Sequence, residues 1–174
     1  PIRIAVLCFA LVTARSVEGT PRYDPLEVSE RFEPNSVDEK RECAIPLRVY
    51  LPEEKSPAPV VLFSHGLGGS REGNAEGRGV ENFFLRVKDV PAALDRLERW
   101  NREVAHVLNG RLDLERLGMS GHSFGAITTQ AVSGQSIGRG RQPFADSRID
   151  AAIVFSPSSP RRGDPGKAFG SVAS

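Results

Sequence analysis

Arg116-Leu117-Gly118-Met119-Ser120-Gly121-His122-Ser123-Phe124-Gly125 is the most informative stretch of the chain. Arg116 to Ser120 reads as a short buried strand, and the small, helix-compatible residues from Ala126 to Val132 read as the start of a helix. Between them Gly121 to Gly125 spells G-x-S-x-G, which puts Ser123 on a tight strand-to-helix turn, a nucleophile elbow. A serine hydroxyl is inert at neutral pH unless it is held clear of the backbone, beside a base and near amide donors. The elbow supplies the first of these conditions and predicts strained backbone dihedrals at Ser123. Five-residue patterns of this kind recur by chance, so the neighbouring sequence has to decide what this one means.

Upstream, Pro59-Val60-Val61-Leu62-Phe63-Ser64 is a continuous apolar run, as expected of a central strand. It ends in His65-Gly66-Leu67-Gly68-Gly69. A glycine-rich bend at the carboxyl end of a parallel strand can aim a backbone N–H at an oxyanion, and the elbow supplies a second from the residue after its serine. An N–H on this bend and that of Phe124 are therefore expected to face a common point about 3 Å from each. The competing interpretation is two unrelated glycine turns in an α/β domain.

With 174 residues the chain suits one domain with a real core. The formal charge of +1 and the lack of a basic stripe interleaved with aromatics argue against nucleic acid as a partner. The two cysteines, Cys8 and Cys43, have no metal-ligand spacing, and no cofactor or metal is expected. Residues 1–19 follow the plan of a secretory signal: Arg3, an apolar stretch, then small and polar residues to Gly19. The apolar stretch is too short to span a bilayer, so no stable membrane span is expected, and a periplasmic or secreted location is. The alternative for this segment is a first buried strand. Residues 20–174 form the remaining domain.

Residues 20 to 43 look like an extended lead-in. Ile45 to Leu51 alternates as a half-exposed strand would, and is expected to pair antiparallel with the run at 59 to 64. Apolar residues at Phe83, Val87, Val90, Leu94 and Leu97, extended by Trp100 and Val104, have helical spacing. Arg86, Lys88, Asp95, Arg96, Glu98 and Arg99 fall on its other faces. Pro91 predicts a kink or a second helix start, and Asn109-Gly110 a helix end. Ile149 to Phe155 is the next strand, stopping at Ser156-Pro157-Ser158-Ser159-Pro160.

Taken together, His65-Gly66-Leu67-Gly68-Gly69, Gly118 to Gly125 and Ser156 to Pro160 resemble the bacterial predicted dienelactone hydrolases. These are α/β-hydrolase-fold proteins related to platelet-activating-factor acetylhydrolases. The resemblance covers most of residues 20 to 172. It implies a serine hydrolase of carboxylic esters, using no metal, that takes a small-molecule ester through an acyl-enzyme. It implies Ser123 as nucleophile and the backbone N–H groups of Leu67 and Phe124 as oxyanion donors. The expected fold is a mostly parallel sheet with an antiparallel start and helices on both faces.

The chain departs from that pattern twice. In this fold the triad acid and histidine follow the serine, yet His65, His106 and His122 all precede Ser123. His65 is expected to shape the oxyanion loop, His122 to point away from the serine oxygen, and His106 to be solvated on the covering helix. Among later acids Asp146, Asp150 and Asp164 are candidates; Asp150 fits a strand start and Asp164 a turn. The family's last two strands, with its acid and base, would lie beyond Ser174. Secondly, Ser70 to Gly79 is too polar for the internal strand expected there, which leaves one helix as the crossover between the run at 59 to 64 and the elbow strand. Such a chain should be inactive or weak as an esterase. The rival is a non-catalytic binding or remnant module, and a thioesterase or peptidase would use the same serine.

Overall fold

The computed structural model describes residues 4–8, 28–32, 37–38, 43–45, 47–53, 57–66, 78–136, 141–156 and 165–170. In chain order the elements are β1 (Ile4–Cys8), β2 (Val28–Phe32), β3 (Val37–Asp38), β4 (Cys43–Ala44), β5 (Leu47–Pro52), β6 (Ala58–Ser64), α1 (Arg78–Arg102), β7 (Leu112–His122), α2 (Phe124–Val132), β8 (Ala151–Phe155) and α3 (Pro165–Phe169). β3 and β4 pair with each other, and the other six strands make one sheet in the order β2-β5-β1-β6-β7-β8. β1–β5, β6–β7 and β7–β8 are parallel, whereas β2–β5 and β1–β6 are antiparallel. The class is mixed α/β.

The parallel half carries the site. β6 and β7 lie side by side, with Val60 opposite Leu117, Leu62 opposite Met119 and Ser64 opposite Gly121, and α1 is the crossover between them. β8 joins the far edge of β7, placing Phe155 opposite His122. Period-two alternation turns Leu47, Val49, Leu51, Ala58, Val60, Leu62, Leu117 and Met119 to one face, where all are buried. Helical spacing brings Val87, Val90, Ala93, Leu94, Leu97 and Trp100 of α1 into the same core, together with Ala131 and Val132 of α2.

Several expectations from sequence need correction. β5 and β6 are not neighbours, because β1 lies between them, with Val6 opposite both Val49 and Leu62. The apolar run at the amino terminus is thus a strand in this structure, and as an interior strand it satisfies its backbone on two sides. Helices were expected on both faces, but α1 and α2 pack on each other and on the same side of β7. Among the described residues the connection from β6 to β7 carries one helix, α1, and it lands beside the helix after the elbow. Among the described residues the opposite face, carrying Val61, Phe63, Ile153 and Phe155, is half-buried to exposed.

Pro91 does not interrupt α1, which is continuous through Arg102. Losing one hydrogen bond to proline costs about 3 kcal/mol. Burying a large apolar side chain contributes about 1.5–3 kcal/mol, and α1 buries Val87, Val90, Leu94, Leu97 and Trp100. The helix ends at Arg102, before Asn109-Gly110, and Val104 lies outside the core with 89 % exposure. Asn101 then fixes the turn into β7: its Nδ2 donates to Leu112 O at 2.8 Å and its Oδ1 accepts from Leu112 N at 3.0 Å. Among the described residues no helix is long and apolar enough to cross a membrane.

Candidate active site

β7 delivers Ser123 to the carboxyl edge of the sheet, and α2 begins on the next residue. Ser123 adopts φ 56° and ψ −117°, a backbone conformation that L-residues rarely occupy. Such strain costs on the order of 1–3 kcal/mol and persists only where the surroundings enforce it. Here they do. Ser123 N donates to Phe155 O at 3.1 Å, tying the turn to β8, while its carbonyl accepts from Ala126 N at 2.9 Å and starts the helix. A serine at a helix N-cap ordinarily bonds a first-turn N–H with its hydroxyl, but the Ser123 side chain makes no capping hydrogen bond. Its Oγ is on an exposed residue and is not consumed by the helix.

Two glycines allow this corner to close. A Cβ on Gly125 would stand 1.8 Å from Ser64 O, and one on Gly121 would stand 2.3 Å from Gly125 O and 2.7 Å from Thr129 Oγ1. The first turn of α2 therefore sits directly on the end of β6, at a separation only hydrogen atoms permit. Thr129 Oγ1 donates to Gly125 O at 2.9 Å beneath the turn.

The bend after β6 reaches the same point. A Cβ on Gly66 would lie 3.3 Å from Ser123 Cβ and 3.6 Å from His122 Nδ1. The glycine-rich bend and the elbow are thus adjacent in space up to Gly66. Leu67, the expected oxyanion donor on that bend, lies outside the described residues. Phe124 opens α2, and as a first-turn residue its N–H has no acceptor within the helix. The positive end of the helix dipole adds to it, so an oxyanion there meets a donor and a favourable field.

The other candidate residues fall elsewhere. His106 is in the turn between α1 and β7, at the opposite end of an eleven-residue strand from Ser123. Leu112 and Gly121 pair with Ala58 and Ser64, so at about 3.3 Å per residue the two ends of the strand are on the order of 20 Å apart. It is half-buried, not solvated: its ring stacks on Trp100 with centroids 4.8 Å apart, and its Nδ1 accepts from Leu108 N at 3.2 Å. Burial lowers its pKa, and the charge of Glu103 opposes the shift. Asp150 precedes β8 and accepts from Leu117 N at 2.8 Å, a structural use at the amino end of that strand. Asp146 accepts from Arg148, and this hydrogen bond, helped by the arginine's charge, lowers its pKa against the effect of burial. Arg148 also reaches Asp95 and Glu98 on α1, so Asp146 belongs to a brace between that helix and the β8 lead-in. Asp164 lies outside the described residues. His65 is half-buried beside the site, its Nδ1 donating to Gly66 O at 2.6 Å, and His122 is exposed.

Arg86 was read from sequence as a charge on the polar side of α1. It is 5 % exposed. Its Nη1 donates to His65 O, and its guanidinium lies 4.9 Å from the centroid of the Phe124 ring. The signal was present in the spacing, since Arg86 stands three residues after Phe83 and four before Val90, within the apolar stripe. Among the described residues no group of three or more His, Cys, Asp or Glu side chains gathers as a metal site would require. Compared with known proteins, the chain matches no protein-family model and no curated protein.

Proposed function

We propose that the chain carries a serine-hydrolase site of the α/β-hydrolase type, dienelactone hydrolase-like, that accepts the acyl group of a small carboxylic ester on Ser123. The observation behind this reading is the Ser123 corner: φ 56° between a parallel strand and a helix, with its hydroxyl withheld from capping. Strain at an exposed nucleophilic side chain, beside a helix N–H with no acceptor in its own helix, is the arrangement acyl transfer uses. In the reaction Ser123 Oγ bonds to the ester carbonyl carbon and its proton leaves to water. The tetrahedral oxyanion is held by the Phe124 N–H and by Leu67 N–H, the C–O bond to the leaving group then breaks, and water later hydrolyses the acyl-enzyme. No cofactor enters these steps.

The chemistry is weak in this form. His106, Asp146 and Asp150 serve the far end of the sheet, and a serine without an imidazole partner keeps only the modest rate that oxyanion donors and binding give. That placement is also what favours the second reading, a remnant module that binds without turnover. The test is turnover of a chromogenic acetate ester by the purified chain and by Ser123→Ala, with acetylated residues mapped in parallel. Slow turnover close to that of Ser123→Ala, with acetyl accumulating on Ser123, supports weak acylation without efficient deacylation. Absence of acetyl on Ser123 leaves the remnant reading. Brisk turnover abolished by the substitution would mean that a proton acceptor such as His65 is in place.

A further inference from the structure

A buried guanidinium is costly, and Arg86 is buried in a place where the fold alone gives little reason for it. Desolvation pushes its pKa down, and the charge of Asp89, also buried one turn along α1, opposes this only in part. Its Nε is buried with no hydrogen-bond partner among the described residues. Replacing buried charge by well-packed apolar side chains is often neutral or stabilising, so core packing does not account for an arginine here.

What it touches is more informative. His65 O is the carbonyl immediately before Gly66, and Phe124 is the residue immediately after Ser123. Arg86 bonds the first and covers the ring of the second. One rigid planar group on α1 thus spans both backbone segments that meet at Ser123. From this we infer that Arg86 is a positioning residue for the Ser123 site, setting the spacing between the bend after β6 and the first N–H of α2. The inference rests on the acyl-transfer reading for its chemical consequence but not for the clamp itself. Fixing His65 O fixes the peptide plane leading into Gly66, and covering the Phe124 ring restrains the first turn of α2. Oxyanion donors are effective only when held at the correct distance before the reaction, so a loosened clamp should lower reactivity more than stability.

The experiment compares wild type, Arg86→Met and Arg86→Lys by two readouts: the rate of Ser123 acetylation by a chromogenic acetate ester, and amide hydrogen exchange over residues 58–66 and 124–132. Methionine fills the volume but neither donates nor stacks as a cation. Lysine can still donate to His65 O. The expected result is acetylation slower by at least about tenfold in Arg86→Met, faster exchange in both segments, and partial recovery of both in Arg86→Lys. Acetylation and exchange within about twofold of wild type in a folded Arg86→Met would overturn the role. If Arg86→Met does not fold, the lysine variant decides, because loss of the planar contact alone should still loosen residues 124–132; wild-type exchange there counts against the clamp. Failure of wild type to acetylate at Ser123 would sink the functional reading, and the exchange comparison would still judge Arg86.

Discussion

Replacing Gly125 by alanine would drive a methyl group into the backbone of a central strand. The new Cβ would stand 1.8 Å from Ser64 O, 2.5 Å from Ser64 C and 3.0 Å from His65 O. Relief to ordinary contact requires α2 and β6 to separate by roughly 1.6 Å at this point, since a backbone carbonyl cannot rotate aside like a side chain. Overpacking a core costs about 1–3 kcal/mol when flexible side chains absorb it. Here the sheet must move, so the expected loss exceeds about 3 kcal/mol, and the survivors should have Ser123 displaced from Gly66. Gly118→Ala is the control: its Cβ would meet Val61 Cγ2 at 3.4 Å, an ordinary contact, and stability should stay within about 0.5 kcal/mol of wild type or rise slightly. Urea unfolding of the two variants reads the difference, and Ser123 acetylation reads the displacement. Equal stability for Gly125→Ala and wild type would mean that α2 does not sit on β6 as described.

Three further outcomes are expected. Asn101→Ala removes both side-chain hydrogen bonds that join the end of α1 to Leu112 and should cost about 2 kcal/mol in urea unfolding; a loss below about 0.5 kcal/mol would show the turn held by other contacts. Val6→Pro deletes a backbone donor from a strand paired on both sides and should destabilise by on the order of 2 kcal/mol or more, whereas an unaffected midpoint would place the amino-terminal run outside the sheet. The folded chain favours neutral His106, so its contribution is complete above about pH 6.5 and declines as pH falls below that, the unfolded chain taking up the proton first. His106→Phe retains a ring on Trp100 and should flatten that decline; an unchanged slope would assign it to other groups.

What the sequence made legible was local. The apolar run ending at Ser64, the stripe on α1 and the strand before Phe155 follow from side-chain periodicity, and the elbow from five adjacent residues. The same periodicity could not say where β1 belongs, because an apolar run of that length suits a leader or an interior strand, and its partners Leu47–Tyr50 and Val60–Ser64 are more than forty residues away. Placing α1 and α2 on one face depended on where α1 crosses between β6 and β7, a topological consequence that no helix records in its own residues. Arg86 was hidden by its charge, which reads as solvated unless its place in the stripe outweighs residue type. Gly121 and Gly125 were legible as turn residues, while their role as contact points with Thr129 and Ser64 needed the fold.

The central claim is that the Ser123 hydroxyl is set apart from other serines by the corner that holds it. The most direct measurement is site-resolved mapping of acyl groups after the folded chain reacts with a chromogenic acetate ester, using the exposed serines Ser147 and Ser156 as internal standards. The account predicts acetyl on Ser123 at least about tenfold ahead of every other serine, and loss of that selectivity in Gly125→Ala. Uniform, slow modification of exposed serines, with Ser123 no faster than Ser156, would contradict it.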